Sequence, residues 1–347
     1  MKFYISKPIG MSVEQKLHLI TRNLQEVLGL EELKKILSER DLNIYWGTAI
    51  TGKPHIAYLV PLMKVRDFVD AGCNVKILFA DIHGFLDNLK APIEKVEYRC
   101  VYYEKLIKSS LKMLGVDLNR IQFIKGSEFQ KSNEYVMDLY KILSITSEHD
   151  AKKAGAQVVK QVENPMVSSL VYPAMQALDE VHMSVDAQFG GVDQRKIFTY
   201  ARKYLPLLNY EKRIHLMSPM LPGLNSEKMS SSDDLSKIDL MDSKEAIWKK
   251  IKKCFCEEGN KENGLMKIFS HIIFPIFEVK GEKIRITDKD GKEKIFEKYQ
   301  DFEDEFSSKS IHPGDLKSNA ARLIDSIIRP IREEMEKDLT MVKQAYD

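Results

Sequence analysis

The feature that most constrains the fold is a repeating order between residues 42 and 217: a short apolar, partly β-branched run, then a longer amphipathic stretch. The apolar runs occupy residues 42–46, 75–81, 121–124, 183–187 and 214–217, and amphipathic stretches fill 55–70, 94–114 and 133–143. Short β-branched runs read as buried strands, and longer segments with apolar residues every third or fourth position read as helices. Strands joined through helices close as right-handed parallel crossovers, so the predicted class is α/β with a doubly wound parallel sheet. The long gap between the third and fourth runs, residues 125–182, predicts an inserted helical subdomain.

After Asp239 the pattern changes. Residues 244–254 and 265–277 read as helices, 277–299 alternate around Lys280-Gly281 and Asp290-Gly291 like a small β-meander, and a final helix follows Pro313. The expected division is therefore a first domain at 1–240, with N-terminal helices and an insertion near 126–180, and a mostly α-helical C-terminal domain at 241–347. A length of 347 residues suits two domains. The 53 basic and 51 acidic residues nearly cancel, so net charge identifies no polyanionic partner and excludes none held at a local patch. Lys249, Lys250, Lys252 and Lys253 cluster on the first helix after residue 240 and read as a solvated face. No apolar run approaches a membrane span and the N-terminus lacks a signal-peptide pattern, so a cytoplasmic protein is expected. Cys73, Cys100, Cys254 and Cys256 fit neither a disulfide framework nor zinc spacing, and no tightly bound metal is expected.

Two segments carry chemistry. The first is Gly47-Thr-Ala-Ile-Thr51-Gly52-Lys-Pro-His55-Ile-Ala-Tyr58, where a strand ends and a helix is expected after Pro54. Glycines let the backbone approach a ligand, and amide donors with a helix N-terminus at a strand's carboxyl end suit phosphate. Taken alone, the segment reads equally well as a Gly-rich turn with a capping histidine. It is neither a Walker loop nor a dinucleotide fingerprint. The second is Pro222-Gly-Leu-Asn-Ser-Glu-Lys228-Met229-Ser230-Ser231-Ser232, in which one lysine stands among hydroxyl donors. Such a loop suits closure over a polyphosphate, although by itself it reads as an interdomain linker.

Together these segments resemble the two signatures of class I aminoacyl-tRNA synthetases. Tyr45-Trp-Gly-Thr-Ala, Ala80-Asp-Ile-His-Gly, Leu170-Val-Tyr172-Pro-Ala-Met-Gln176-Ala-Leu-Asp179, Asp186-Ala-Gln-Phe-Gly-Gly-Val-Asp-Gln194-Arg-Lys-Ile and His312-Pro-Gly-Asp315-Leu-Lys resemble, more closely, the tyrosyl-tRNA synthetases of archaeal and eukaryotic type. The resemblance covers essentially the whole chain and implies a Rossmann-like catalytic core. Two places depart from the usual signatures: Ala57 and Tyr58 replace the last two residues of His-Ile-Gly-His, and Ser231 stands at the second lysine of Lys-Met-Ser-Lys-Ser. Tyrosyl enzymes of this type commonly show both variations.

Spacing adds independent support. Tyr172, Gln176 and Asp179 fall at i, i+4 and i+7 on one face of a helix, whose first turn Pro173 is expected to set. The residues between are apolar, so this polar stripe is expected to be buried and to need a partner, unless it is simply solvated. The resemblance implies that Asp179 and Tyr45 meet the phenol oxygen of bound L-tyrosine, while Tyr172, Gln176 and Gln194 hold its α-amino group. It implies an ATP site of Gly47, Thr51, Gly52, His55, Lys228, Met229, Ser230, Ser231 and Ser232, with His55 and Lys228 catalytic. It implies, too, that ATP acts as a substrate with Mg²⁺. Arg195 and Lys196 are expected at the tRNA acceptor stem, and His312, Pro313 and Asp315 at the anticodon, although 312–315 taken locally read as a turn with Asp315 capping the last helix. The family is dimeric, so a homodimer is expected. Two other readings stay open: a tryptophan-activating relative and a catalytically silent RNA-binding protein with the same fold.

Overall fold

The computed structural model describes residues 10–87, 91–158, 166–224 and 237–347. In chain order it runs α1 (Val13–Thr21), β1 (Glu26–Leu28), α2 (Leu30–Glu39), β2 (Asn43–Ala49), α3 (Leu59–Asp70), β3 (Asn74–Ala80), α4 (Asp81–Leu86), α5 (Val96–Met113), β4 (Ile121–Lys125), α6 (Asn133–Ile145), α7 (Glu148–Gly155), α8 (Ser168–His182), β5 (Ala187–Gly191), α9 (Arg195–Tyr204) and β6 (Ile214–Ser218). There follow α10 (Lys244–Lys253), α11 (Gly264–Ile268), α12 (Phe274–Lys280), β7 (Ile284–Thr287), β8 (Glu293–Phe296), α13 (Tyr299–Ser307), α14 (Pro313–Glu336) and α15 (Leu339–Tyr346).

The main sheet has the order β1-β6-β5-β2-β3-β4, with β1 antiparallel to β6 and the other neighbours parallel. From central β2 the chain winds outward to β3 and β4, then returns to lay β5 and β6 on the other side. Strand order thus reverses between β2 and β5, and the connections leaving their carboxyl ends diverge to open a crevice. β3 is apolar and buried along most of its length because helices cover both faces of a parallel sheet. One core runs from the sheet into the C-terminal helices: α10 packs on α14, and α14 and α15 pack on α5.

Several expectations change. The run at 183–187 is not a strand, since β5 begins at Ala187. The N–H groups of Met183, Ser184 and Val185 bond back to Asp179, Val181 and Glu180, and Ser184 adopts φ +51°, so these residues end α8 and have no donors left for a ladder. Pro173 lies inside α8 rather than in its first turn. The expected meander is one hairpin, β7–β8, because 277–280 continue α12 and Gly281, at φ +66°, caps that helix. The final helix is two, α14 and α15, and β1 is a short edge strand that local pattern did not mark.

Candidate active site

A cavity of about 450 Å³ occupies the crevice between β2 and β5. Tyr45, Gly47, Thr51, Gly52 and His55 line it from β2 and the following loop, and Tyr172, Gln176, Asp179 and Gln194 line it from α8 and the end of β5. Every candidate tyrosine-binding residue therefore faces the same space as the described part of the candidate ATP site.

At the polar end, the helical spacing of Tyr172, Gln176 and Asp179 delivers all three, buried, to one face of α8. Asp179 Oδ1 accepts from Gln130 Nε2 at 2.8 Å and from the Tyr135 hydroxyl at 2.8 Å. Asp179 Oδ2 accepts no hydrogen bond among the described residues, and His83 Nε2 stands 3.9 Å away. Burial pushes the Asp179 carboxyl up to about 7, against the opposing pull of the two donors. Burial pushes His83 down to about 4, so its ring is neutral at pH 7. Tyr45, on β2, holds its hydroxyl 3.5 Å from the Gln176 carbonyl, and its phenol is raised well above the usual range by burial and by Asp179. Gln176 Nε2 donates to Gln194 Oε1 at 2.8 Å. Gly190 makes that contact possible, since a Cβ there would fall 2.8 Å from the same oxygen of Gln194.

At the other end, β2 stops at Ala49 and the chain turns through 50–55. No α-helix starts directly after Pro54. Instead Ile56–Tyr58 form a 3₁₀ turn that leads into α3, and His55 occupies its N-cap in extended conformation without a side-chain cap. The capping-histidine reading of this segment therefore does not hold. His55 pairs with Asp239 as a β-bridge, flanked by Ile56 N–H to Ile238 O at 2.8 Å and Leu240 N–H to Pro54 O at 3.2 Å. Residues 238–240 follow the second signature closely in sequence, so these bonds bind its flank to the first signature. Lys228, Met229, Ser230, Ser231 and Ser232 lie outside the described residues. Tyr58 places its hydroxyl 3.3 Å from Thr48 Oγ1 and its ring edge-on to His55 at 5.4 Å, so the substituted signature position is a wall of the cavity.

The remaining candidates lie apart. Arg195 opens α9 and grips Glu26 through two hydrogen bonds of 2.7 and 2.9 Å, while the adjacent Lys196 is half-buried. His312 is the N-cap of α14, with Nδ1 accepting from Gly314 N–H at 3.0 Å, and Pro313 takes the first helical position. The cap is thus His312, not Asp315, whose carboxylate makes no hydrogen bond among the described residues. Lys250 pairs with Asp242 at 2.6 Å, which separates it from its exposed neighbours Lys249, Lys252 and Lys253. Sequence reasoning assigned no role to Gln130, Tyr135 or His83. Only His83 left a trace, within the Ala80–Gly84 motif; Gln130 and Tyr135 look locally like ordinary loop and helix residues.

The family model for tRNA synthetases class I (W and Y) matches residues 37–329. A protein of Encephalitozoon cuniculi (strain GB-M1), named probable tyrosine--tRNA ligase, cytoplasmic, is 86% identical over 337 residues, which are 97% of this chain and 100% of that one. One of the same name from Enterocytozoon bieneusi (strain H348) is 55% identical over 336 residues, 96% of each chain. The crystal structure of a tyrosyl-tRNA synthetase complexed with L-tyrosine from Archaeoglobus fulgidus superimposes with a TM-score of 0.85 at 34% identity, covering 93% of this chain and 100% of that chain. The family match runs from the end of α2 into α14, the identity and the superposition each cover more than nine-tenths of the chain, and the chain belongs to the class I tRNA synthetases (W and Y).

Proposed function

We propose that the chain is a tyrosine-activating enzyme that forms tyrosyl-adenylate from L-tyrosine and ATP and transfers the tyrosyl group to the 3′ end of tRNA-Tyr. The observation that carries the choice of amino acid is Asp179, buried, with Oδ1 occupied by Gln130 and Tyr135 and Oδ2 left for a ligand. A phenol hydroxyl donates to that oxygen and accepts from Tyr45. An indole N–H can donate to Asp179 but cannot accept from Tyr45, so a tryptophan substrate would leave that hydroxyl only its long 3.5 Å bond to the Gln176 carbonyl. Tyr172, Gln176 and Gln194 then hold the α-amino group, and the tyrosine carboxylate points toward the 47–55 loop.

The carboxylate attacks the α-phosphorus of ATP, which enters as its Mg²⁺ complex, and pyrophosphate leaves. A ribose hydroxyl of the terminal adenosine then attacks the carbonyl of the adenylate, and AMP leaves. The nucleophile of the first step is already ionised, so that step needs no general base. Catalysis is mainly alignment and stabilisation of phosphate charge by His55, Lys228 and the backbone of Gly47, Thr51 and Gly52, with Met229, Ser230, Ser231 and Ser232 completing the ATP site. Functionally, 1–240 is the catalytic part, with an insertion near 126–180, and 241–347 reads the anticodon through His312, Pro313 and Asp315, with Arg195 and Lys196 at the acceptor stem. That the carboxylate of Asp315 makes no hydrogen bond among the described residues, its main-chain carbonyl alone accepting from Ser318 and Asn319, supports that role. The working unit is a homodimer; exposed Met137, Tyr140 and Ile145 on α6 support an apolar contact face. The names of the relatives support a cytoplasmic location.

ATP–pyrophosphate exchange with each amino acid tests the assignment. Exchange that depends on tyrosine is expected. Exchange driven equally by tryptophan, or none with any amino acid, would overturn it.

A further inference from the structure

The loop assigned to the ATP phosphates is held from behind by residues distant in sequence. Arg99 Nη1 and the Tyr103 hydroxyl, both on α5, donate to the carbonyls of Thr51 and Gly52. The Tyr346 hydroxyl, at the end of α15, donates to the same Gly52 carbonyl at 3.0 Å. Tyr346 is itself fixed: its ring packs edge-on to Tyr102 at 5.1 Å, and the Arg99 guanidinium lies 4.9 Å above it. Arg99 Nε and Lys95 Nζ take the last carbonyls of α15, Ala345 and Gln344, each at 3.2 Å. All peptide bonds of the described chain are trans, so each N–H points opposite to its carbonyl. With the Thr51 and Gly52 carbonyls turned toward α5 and α15, the N–H groups of Gly52 and Lys53 turn the other way. Neither has a hydrogen-bond acceptor among the described residues, and Gly52 lines the cavity.

We propose that Tyr346, acting with Tyr103 and Arg99, is a positioning residue for amino-acid activation: by holding the Thr51 and Gly52 carbonyls it presents the Gly52 and Lys53 amides to the phosphates of ATP. The proposal rests on the assignment of the 47–55 loop to ATP. Two aligned amide donors resemble an oxyanion hole, whose value lies in donors that need no reorganisation when charge develops. Hydrogen bonds to a peptide carbonyl also polarise its N–H, by about 10–30% per bond. Gly52 O accepts two hydroxyls, so losing one leaves the other in place, whereas losing both orphans the carbonyl.

Tyr346→Phe, Tyr103→Phe and the double variant, each in the full chain, test this by steady-state pyrophosphate exchange. Each single variant should lower kcat/KM for ATP by about three- to tenfold, the scale of one hydrogen bond, and the double variant by more than the product of the singles. KM for tyrosine should stay within twofold in all three. A merely structural role for α15 would move both substrates together or neither. A folded double variant with kcat/KM for ATP within twofold of the parent, or with KM for tyrosine raised more than twofold, would overturn the proposal. Should the double variant not fold, Tyr346→Phe decides by the same criterion. His55→Ala and Lys228→Ala run alongside: if they slow exchange while the tyrosine variants do not, only the positioning role fails. If His55→Ala and Lys228→Ala leave exchange intact, the ATP assignment of the loop falls and this proposal falls with it.

Discussion

Asp179→Asn probes the amino-acid pocket with the least change of shape. The asparagine carbonyl takes the Oδ1 position, where Gln130 and Tyr135 already donate, and this forces its NH₂ into the place of Oδ2. An acceptor facing the substrate thus becomes a donor. The hydrogen bond lost is to a charged group, about 1.5–3 kcal/mol, and a buried donor left unpaired adds about 1–3 kcal/mol. At about 1.4 kcal/mol per decade, kcat/KM for tyrosine should fall roughly 10²- to 10⁴-fold, toward the lower end if the phenol turns to accept from the new amide. Phenylalanine has no hydroxyl to lose, so its own small exchange rate should change less than about threefold and discrimination should collapse. The pH profile provides a second readout. With Asp179 pushed up to about 7, the wild type should lose tyrosine affinity as pH falls through that value and the acceptor is protonated, and the Asn variant should be flat there. Tyrosine use by Asp179→Asn within threefold of wild type would refute the pocket.

His55→Ala and Lys228→Ala should each slow single-turnover adenylate formation by roughly 10²- to 10³-fold with tyrosine affinity little changed; rates within threefold of wild type would remove them from the catalytic list. Asp315→Ala should lower aminoacylation by roughly ten- to a hundredfold on native tRNA, lose less on tRNA altered at the first anticodon base, and leave exchange without tRNA unaffected. Because His312 caps α14, His312→Ala should also lower stability, by about 1 kcal/mol in urea unfolding, and Asp315→Ala should not. In the ligand-free protein Asp179 retains a proton between about pH 4 and pH 7 that the unfolded chain has released. Stability should therefore decline as pH rises across that window, and Asp179→Asn should remove this part of the slope in urea midpoints measured from pH 4 to 8.

What could be read from the chain was local. β2, β3, β4 and β6 announced themselves because β-branched apolar runs between amphipathic stretches have few other ways to be buried. The stripe Tyr172, Gln176 and Asp179 was visible because helical periodicity is a property of one element. The same locality misled at 183–187, where an apolar run looked like a strand but its N–H groups had been taken by the end of α8. It misled again at 312–315, where the spacing allowed either Asp315 or His312 to cap.

Sequence by itself determined the class of fold, the strands whose ends make the crevice, and the candidate residues that the structure finds lining it, Tyr45, Tyr172, Gln176, Asp179 and Gln194 among them. Only tertiary structure decided what stands behind them: Gln130 and Tyr135 reach Asp179 across 49 and 44 residues, and Tyr346 reaches Gly52 across 294. Periodicity tells which face of an element is buried, not which other face it meets. That choice is settled by packing the whole chain at once, and so the side chains that set the ionisation of Asp179 and the direction of the Gly52 and Lys53 amides leave no mark in the segments they serve.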